Sequence, residues 1–156
     1  MFEHDRRRWG NARSALRSVL SRYLNQPPGE LTFTFGPNGK PSIEGMEFNL
    51  SHAGAWALIA VSGDVPVGID LEAIRADVEI DRILARIGET DLPDSLERLF
   101  YVWSRREARV KAVGGSLWEL PKPNVHVLDI EGPEGFASSL ALVDREPVPR
   151  YCDGGV

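Results

Sequence analysis

Apolar residues recur at three- and four-residue spacings in two separate stretches of this sequence, and short alternating or uniformly apolar runs lie between and after them. A chain that switches period in this way folds as a mixture of helices and short strands, an α+β protein. Trp9, Ala12, Leu16, Val19, Leu20 and Tyr23 predict a helix over residues 5–24, its arginines mostly on the other face. Pro27-Pro28 ends it, because proline lacks the amide that a continuing helix needs. Residues 31–35 alternate as a half-buried strand does, and Gly36-Pro37-Asn38-Gly39 follows as a turn. Strands are expected at 47–50 and 56–61, the second apolar throughout as if buried on both faces, with Ser51-His52-Ala53-Gly54 joining them.

Gly63-Asp64-Val65-Pro66 turns the chain into a strand at 67–72. Ile80, Ile83, Leu84 and Ile87 suggest a helix before a loop at 88–93. A strong helix runs from Asp94 or Ser95 to Val113, stopped by Gly114-Gly115. Residues 125–130 and 137–143 form a late strand pair, and 147–156 are expected to be loosely ordered. The order helix, strands, then strand, helix, strands suggests a duplicated α+β unit.

At 156 residues the chain suits one domain, or two small halves sharing a core. Its net charge of −5 argues against a non-specific nucleic-acid binder, although Arg6, Arg7, Arg8, Arg13, Arg17 and Arg22 cluster early. Cys152 is the single cysteine, so no intramolecular disulfide forms, which fits a reducing compartment. The longest apolar run, 55–61, is far short of the roughly 20 residues that span a bilayer. The first residues lack the apolar core of a signal peptide, so the expected location is the cytoplasm.

Chemistry is concentrated in three places. In Val67-Gly68-Ile69-Asp70-Leu71-Glu72 the strand period places Asp70 and Glu72 on one face. Two carboxylates so close repel unless water or a cation separates them; a solvated strand face is the plainer reading. Gly68 permits close approach of a ligand to the backbone. The second place is the helix at 95–113, whose apolar stripe is Leu96, Leu99, Phe100, Trp103, Val110 and Val113. Glu107 lies on or beside that stripe and needs a partner there: either Lys111 one turn on, or a divalent cation shared with Asp70 and Glu72. An all-carboxylate set selects Mg²⁺ or a similar hard cation over zinc. The third is Phe48-Asn49-Leu50-Ser51-His52, where a hydroxyl and an imidazole at a strand end could hold an anion or simply hydrogen-bond within the fold. Ser51 sits in no nucleophile elbow, and Walker A and dinucleotide-binding fingerprints are both absent. Lys40, after its glycine turn, is either a phosphate contact or a solvated lysine.

Gly39-Lys40-Pro41, Phe48 to His52, Val67 to Glu72, and Trp103 to Gly114, in that order and with those gaps, resemble the 4′-phosphopantetheinyl transferases of the larger, surfactin-synthetase-activating type. The resemblance covers roughly residues 6–117. It implies two pseudo-symmetric halves, 1–64 and 65–156, each a helix packed on a small, mostly antiparallel sheet. It also implies a Mg²⁺-dependent enzyme that moves the phosphopantetheine arm of coenzyme A to a serine of an acyl or peptidyl carrier protein, releasing adenosine 3′,5′-bisphosphate. Asp70, Glu72 and Glu107 match the family's metal-binding acids, and Lys111 a lysine near the pyrophosphate. Ser51 and His52 match contacts to coenzyme A phosphates, Lys40 a lysine lining the coenzyme site, and Arg8 an arginine that holds the 3′-phosphate. Glu107 is expected to deprotonate the acceptor serine, and Lys111 to assist the leaving group.

This sequence departs from the pattern at Arg106, where many members carry lysine, and at Ser116, where a glycine is usual. It also starts almost at the first helix, so a shortened N-terminal half is expected. A truncated or degenerate relative that binds coenzyme A or a carrier without transfer is the alternative function. A Mg²⁺-dependent phosphohydrolase accounts for the acids but not for the ordered motifs. Neither a nucleic-acid nor a membrane partner is expected.

Overall fold

The computed structural model describes residues 3–77, 94–115 and 124–152, with side chains from residue 10 onward. The chain runs α1 (Glu3–Leu24), β1 (Thr34–Phe35), β2 (Pro41–Ser42), β3 (Glu47–Ala53), β4 (Trp56–Ser62), β5 (Val67–Ala73), α2 (Leu96–Val113), β6 (Val125–Asp129) and β7 (Phe136–Val143). It is an α+β fold: β1 pairs with β2, β3 with β4, and β5, β7 and β6 form a three-stranded sheet, with every pairing antiparallel. No helix among the described residues is long and apolar enough to cross a membrane. The helix suggested around Ile80–Ile87 and the Ser116 turn lie outside the described residues.

Both helices stop for local reasons. The end of α1 precedes the prolines: Asn25 takes a left-handed φ of 52° and the Gln26 amide donates to the Ser21 carbonyl. Ser95 caps α2, its Oγ accepting from the Arg98 amide, and Gly114 closes it at φ 65°. Leu16, Leu20, Leu31 and Phe48 bury α1 against β3. The strand expected at 31–35 shrinks to two residues, because the Leu31 carbonyl accepts from Arg17 Nη1 instead of joining a ladder. That guanidinium also lies 4.9 Å from the Phe33 ring, so Arg17 packs inward rather than on a solvated helix face.

β3 continues through Ser51 and His52, leaving only Gly54 and Ala55 to turn the hairpin. β4 is only partly buried: Leu58 and Ala60 pack into one core cluster and Ile59 and Val61 into another, while Trp56 and Ala57 at its start are exposed.

The second helix lies on β5 and β7 at unusually short range. Side chains on this floor are small: Gly68 faces Ala141, Asp70 faces Ser139 and Glu72 faces Ala137 across the β5–β7 ladder. A Cβ at Gly68 would stand 2.0 Å from the Ala108 carbonyl oxygen and 2.4 Å from the Ala112 amide nitrogen. Gly68 thus admits the helix, not a ligand, which corrects the expectation placed on it. The buried stripe of α2 accordingly includes Ser104, Ala108 and Ala112 beside Leu99, Phe100, Trp103 and Val110. Arg105 forks onto Asp129 through Nε and Nη2, tying the outer side of the helix to β6. We expect Gly68→Ala to cost about 3 kcal/mol, because neither strand nor helix backbone can yield without disturbing the sheet. Urea unfolding measures this, and a loss under about 0.5 kcal/mol would show that the helix sits higher than described.

Candidate active site

Residues four apart on a helix stack along one side, so Trp103, Glu107 and Lys111 form one row of α2, beside the buried row Ser104, Ala108, Ala112. The buried row rests on β5, where Ser104 Oγ donates to the Asp70 carbonyl at 3.4 Å. The first row therefore meets the β5 carboxylates. Lys111 Nζ donates to Asp70 Oδ1 at 2.6 Å, and Trp103 Nε1 donates to Glu72 Oε1 at 2.9 Å. Asp70 and Glu72 do share a face, but that face lies under the helix, and Asp70 is 2% exposed; the solvated reading fails. Glu107 is half-buried between its two row neighbours. Lys111 forms an ion pair with Asp70, across elements.

These acids crowd one another. Burial, and then the Asp70 carboxylate, push the Glu72 carboxyl above its ordinary range, with Glu107 adding to the effect; the Trp103 hydrogen bond and Lys111 oppose it. Asp70 Oδ2 is buried without a hydrogen-bond partner. Three carboxylates, one with an orphaned oxygen and one strained toward protonation, are a donor set that suits a hard divalent cation. As they stand, no three His, Cys, Asp or Glu side chains among the described residues are grouped closely enough to hold one, with Asp70 drawn to Lys111 and Glu72 to Trp103.

The remaining expected residues divide. Ser51, His52 and Lys111 line a cleft of about 500 Å³ between α1, the β1–β2 hairpin and β3. Arg13 and Arg17 line it as well, with Phe33 and Phe35 as an apolar wall and no carboxylate among the described residues of the lining. Sequence reasoning passed over Arg13 and Arg17 because an arginine-rich helix face is ordinarily solvated. Lys40 does not line the cleft. Its ammonium donates to the Val67 and Ala112 carbonyls at 3.2 and 3.0 Å, while Asn38 Nδ2 donates to the Gly114 carbonyl at 2.9 Å. The hairpin thereby satisfies the open carbonyl end of α2. The side chain of Arg8 lies outside the described residues.

Two consequences are measurable. Lys111→Met leaves Asp70 a buried, uncompensated charge and should destabilise the chain by about 3 kcal/mol in urea. A loss under about 1 kcal/mol would mean that the pair behaves as a solvated one. Burial holds the Lys40 ammonium below its ordinary range, against a smaller opposing pull from Glu47. In that window the unfolded chain binds the proton more readily, so stability rises as pH climbs toward the unperturbed lysine value. Lys40→Met should flatten this alkaline limb of the stability profile, and an unchanged slope would assign it elsewhere.

No family model matches the chain. Among curated proteins it is 32% identical over 145 residues to the 4′-phosphopantetheinyl transferase HetI of Nostoc sp., covering 83% of this chain and 61% of that protein. Identity to AcpT of Escherichia coli, also named a 4′-phosphopantetheinyl transferase, is 32% over 127 residues, 74% of this chain and 62% of the relative. To Sfp of Bacillus subtilis, of the same name, it is 30% over 112 residues, 65% of this chain and 50% of the relative. The chain thus spans about half to three fifths of the length of these relatives. With its ordered motifs and its helix-covered acid strand, the chain belongs to the 4′-phosphopantetheinyl transferase superfamily.

Proposed function

We propose that this chain transfers the 4′-phosphopantetheine arm of coenzyme A to a serine of an acyl or peptidyl carrier protein, with Mg²⁺, and releases adenosine 3′,5′-bisphosphate. The observation that carries the reading is the position of Lys111, which lines the cationic cleft and also contacts Asp70 in the acid cluster. One end of that lysine's surroundings suits an anionic ligand with an apolar part, and the other suits a hard cation. The bond formed joins the acceptor serine oxygen to phosphorus; the bond broken is the phosphoanhydride, whose oxygen leaves with the adenylate portion.

Asp70, Glu72 and Glu107 are the residues that would hold Mg²⁺, which supplies charge neutralisation on the pyrophosphate when bound. Glu107, the acid that stands between Trp103 and Lys111 on the helix row, takes the proton of the acceptor serine. Lys111 stabilises the charge that develops on the departing phosphate. His52, with Arg13 and Arg17, favours the coenzyme's phosphates in the cleft, and Phe33 and Phe35 offer surfaces for its less polar parts. Lys40 and Arg8 keep the coenzyme-binding roles that the resemblance implies for them; Lys40 would first have to release two carbonyls. Residues 1–64 and 65–156 are the two halves in this reading, acting in the cytoplasm.

The test is a transfer assay with coenzyme A, Mg²⁺ and a panel of apo carrier proteins, read by the mass of the carriers. A phosphopantetheine adduct is expected, lost when Mg²⁺ is chelated. Glu107→Gln should lower the rate at least 100-fold at saturating Mg²⁺; near-normal transfer would remove Glu107 from the base role. Coenzyme A binding with no adduct on any carrier would favour the non-catalytic alternative.

A further inference from the structure

Ser51 is expected, by family match, to touch coenzyme A phosphates, and its atoms are already spoken for. A hydroxyl offers one proton and two lone pairs. Ser51 Oγ donates to Asp70 Oδ1 at 3.2 Å and accepts from the Leu71 amide at 3.2 Å and from Lys111 Nζ at 3.1 Å. The side chain is buried, and the proton that a phosphate oxygen would need is held by Asp70. Two residues earlier on the same side of β3, the buried Asn49 accepts from the Ile69 amide through Oδ1 at 2.9 Å.

These two contacts form an edge joint. The amides of Ile69 and Leu71 are not used by the β5–β7 ladder face of the strand, and among the described residues no backbone strand pairs with β5 on that side. Asn49 and Ser51 meet them in step, on either side of Asp70. The Asp70 backbone is thus pinned at both neighbouring amides, and its Oδ1 is oriented by Ser51 and Lys111, leaving Oδ2 as the open oxygen.

We infer that Ser51 and Asn49 are positioning residues that set the Asp70 carboxylate for a divalent cation, and that Ser51 is not a ligand of the coenzyme's phosphates. This rests on the transferase reading only in taking Asp70 as a cation ligand. Partners that orient a metal-binding carboxylate typically contribute 10- to 100-fold to metal affinity.

The experiment uses the full chain and Mn²⁺ as the probe, titrated by electron paramagnetic resonance of the free ion, with metal-free coenzyme A binding measured by calorimetry. Ser51→Ala should weaken Mn²⁺ binding about 10-fold while coenzyme A affinity stays within about twofold. Ser51→Thr, which keeps the hydroxyl, should restore most of the Mn²⁺ affinity. Weakened coenzyme A binding with unchanged Mn²⁺ affinity would overturn the inference in favour of a direct phosphate contact. Unchanged Mn²⁺ affinity alone, or Mn²⁺ binding indifferent to Asp70→Asn, would overturn it too. If Ser51→Ala does not fold, hydrogen exchange on the wild type decides: Ile69 and Leu71 amides should be protected like ladder amides, and fast exchange there removes the joint. A wild-type chain that binds Mn²⁺ through Asp70 but loads no carrier overturns the transferase reading and not this one.

Discussion

The contact between Gly68 and the backbone of α2 sets the geometry of everything chemical in this protein. A helix normally rides on a sheet at the distance its side chains impose. Here the strand offers no Cβ at the crossing point, and the helix offers Ser104, Ala108 and Ala112, so the Ala108 carbonyl comes down onto the strand itself. At that height the neighbouring helix row, Trp103 and Lys111, reaches the carboxylates of β5 with direct hydrogen bonds. A larger residue at Gly68 would lift the row away and deprive Asp70 of Lys111 and Glu72 of Trp103. The same closeness explains why Asp70 can be buried at all: an unpaired carboxylate there would be costly, and Lys111 and Ser51 both meet it.

A second joint lies beside the first, on the free edge of β5. The β3–β4 hairpin and the three-stranded sheet are not hydrogen-bonded backbone to backbone; Asn49 and Ser51 use side-chain oxygens where a strand would use carbonyls. Lys111 reaches Ser51 along this seam. The cationic cleft on the α1 side and the acids under α2 are consequently continuous through one lysine. Lys40 and Asn38 reinforce the arrangement from a third direction by holding the hairpin of β1 and β2 against the carbonyl end of α2. Three separately weak devices, a missing Cβ, an edge joint and a helix-end clamp, converge on the same lysine.

Much of the fold was readable because it depends on local chemistry. The cap at Ser95 and the left-handed stop at Gly114 are encoded within a few residues, and α2 ends where they predict. The strand at 67–72 and the late pair match their alternation to within a residue. The failures share a cause. Residues 56–61 were read as buried on both faces because they are apolar; Leu58 and Ala60 do join one cluster and Ile59 and Val61 another, but Trp56 and Ala57, next to the turn, are exposed. Residues 31–35 alternate properly, but only Thr34 and Phe35 join a ladder, and the Leu31 carbonyl accepts from Arg17, 14 positions away in the chain. Arg17 was assigned to solvent by the pattern of its own helix, which carries no information about the Leu31 carbonyl and Phe33 ring that it meets.

The sequence by itself determined that Asp70 and Glu72 share a face, that Trp103, Glu107 and Lys111 share a row, and that Ser51 lies near the end of an apolar strand. Periodicity within one element suffices for each, because φ and ψ fix where successive side chains point. Only the tertiary structure decided that the row lies over the face, that Lys111 reaches Asp70, and that the Ser51 hydroxyl is fully engaged. Those facts depend on how closely two backbones approach, which is set at Gly68 by an atom that is not there and by partners distant in the chain.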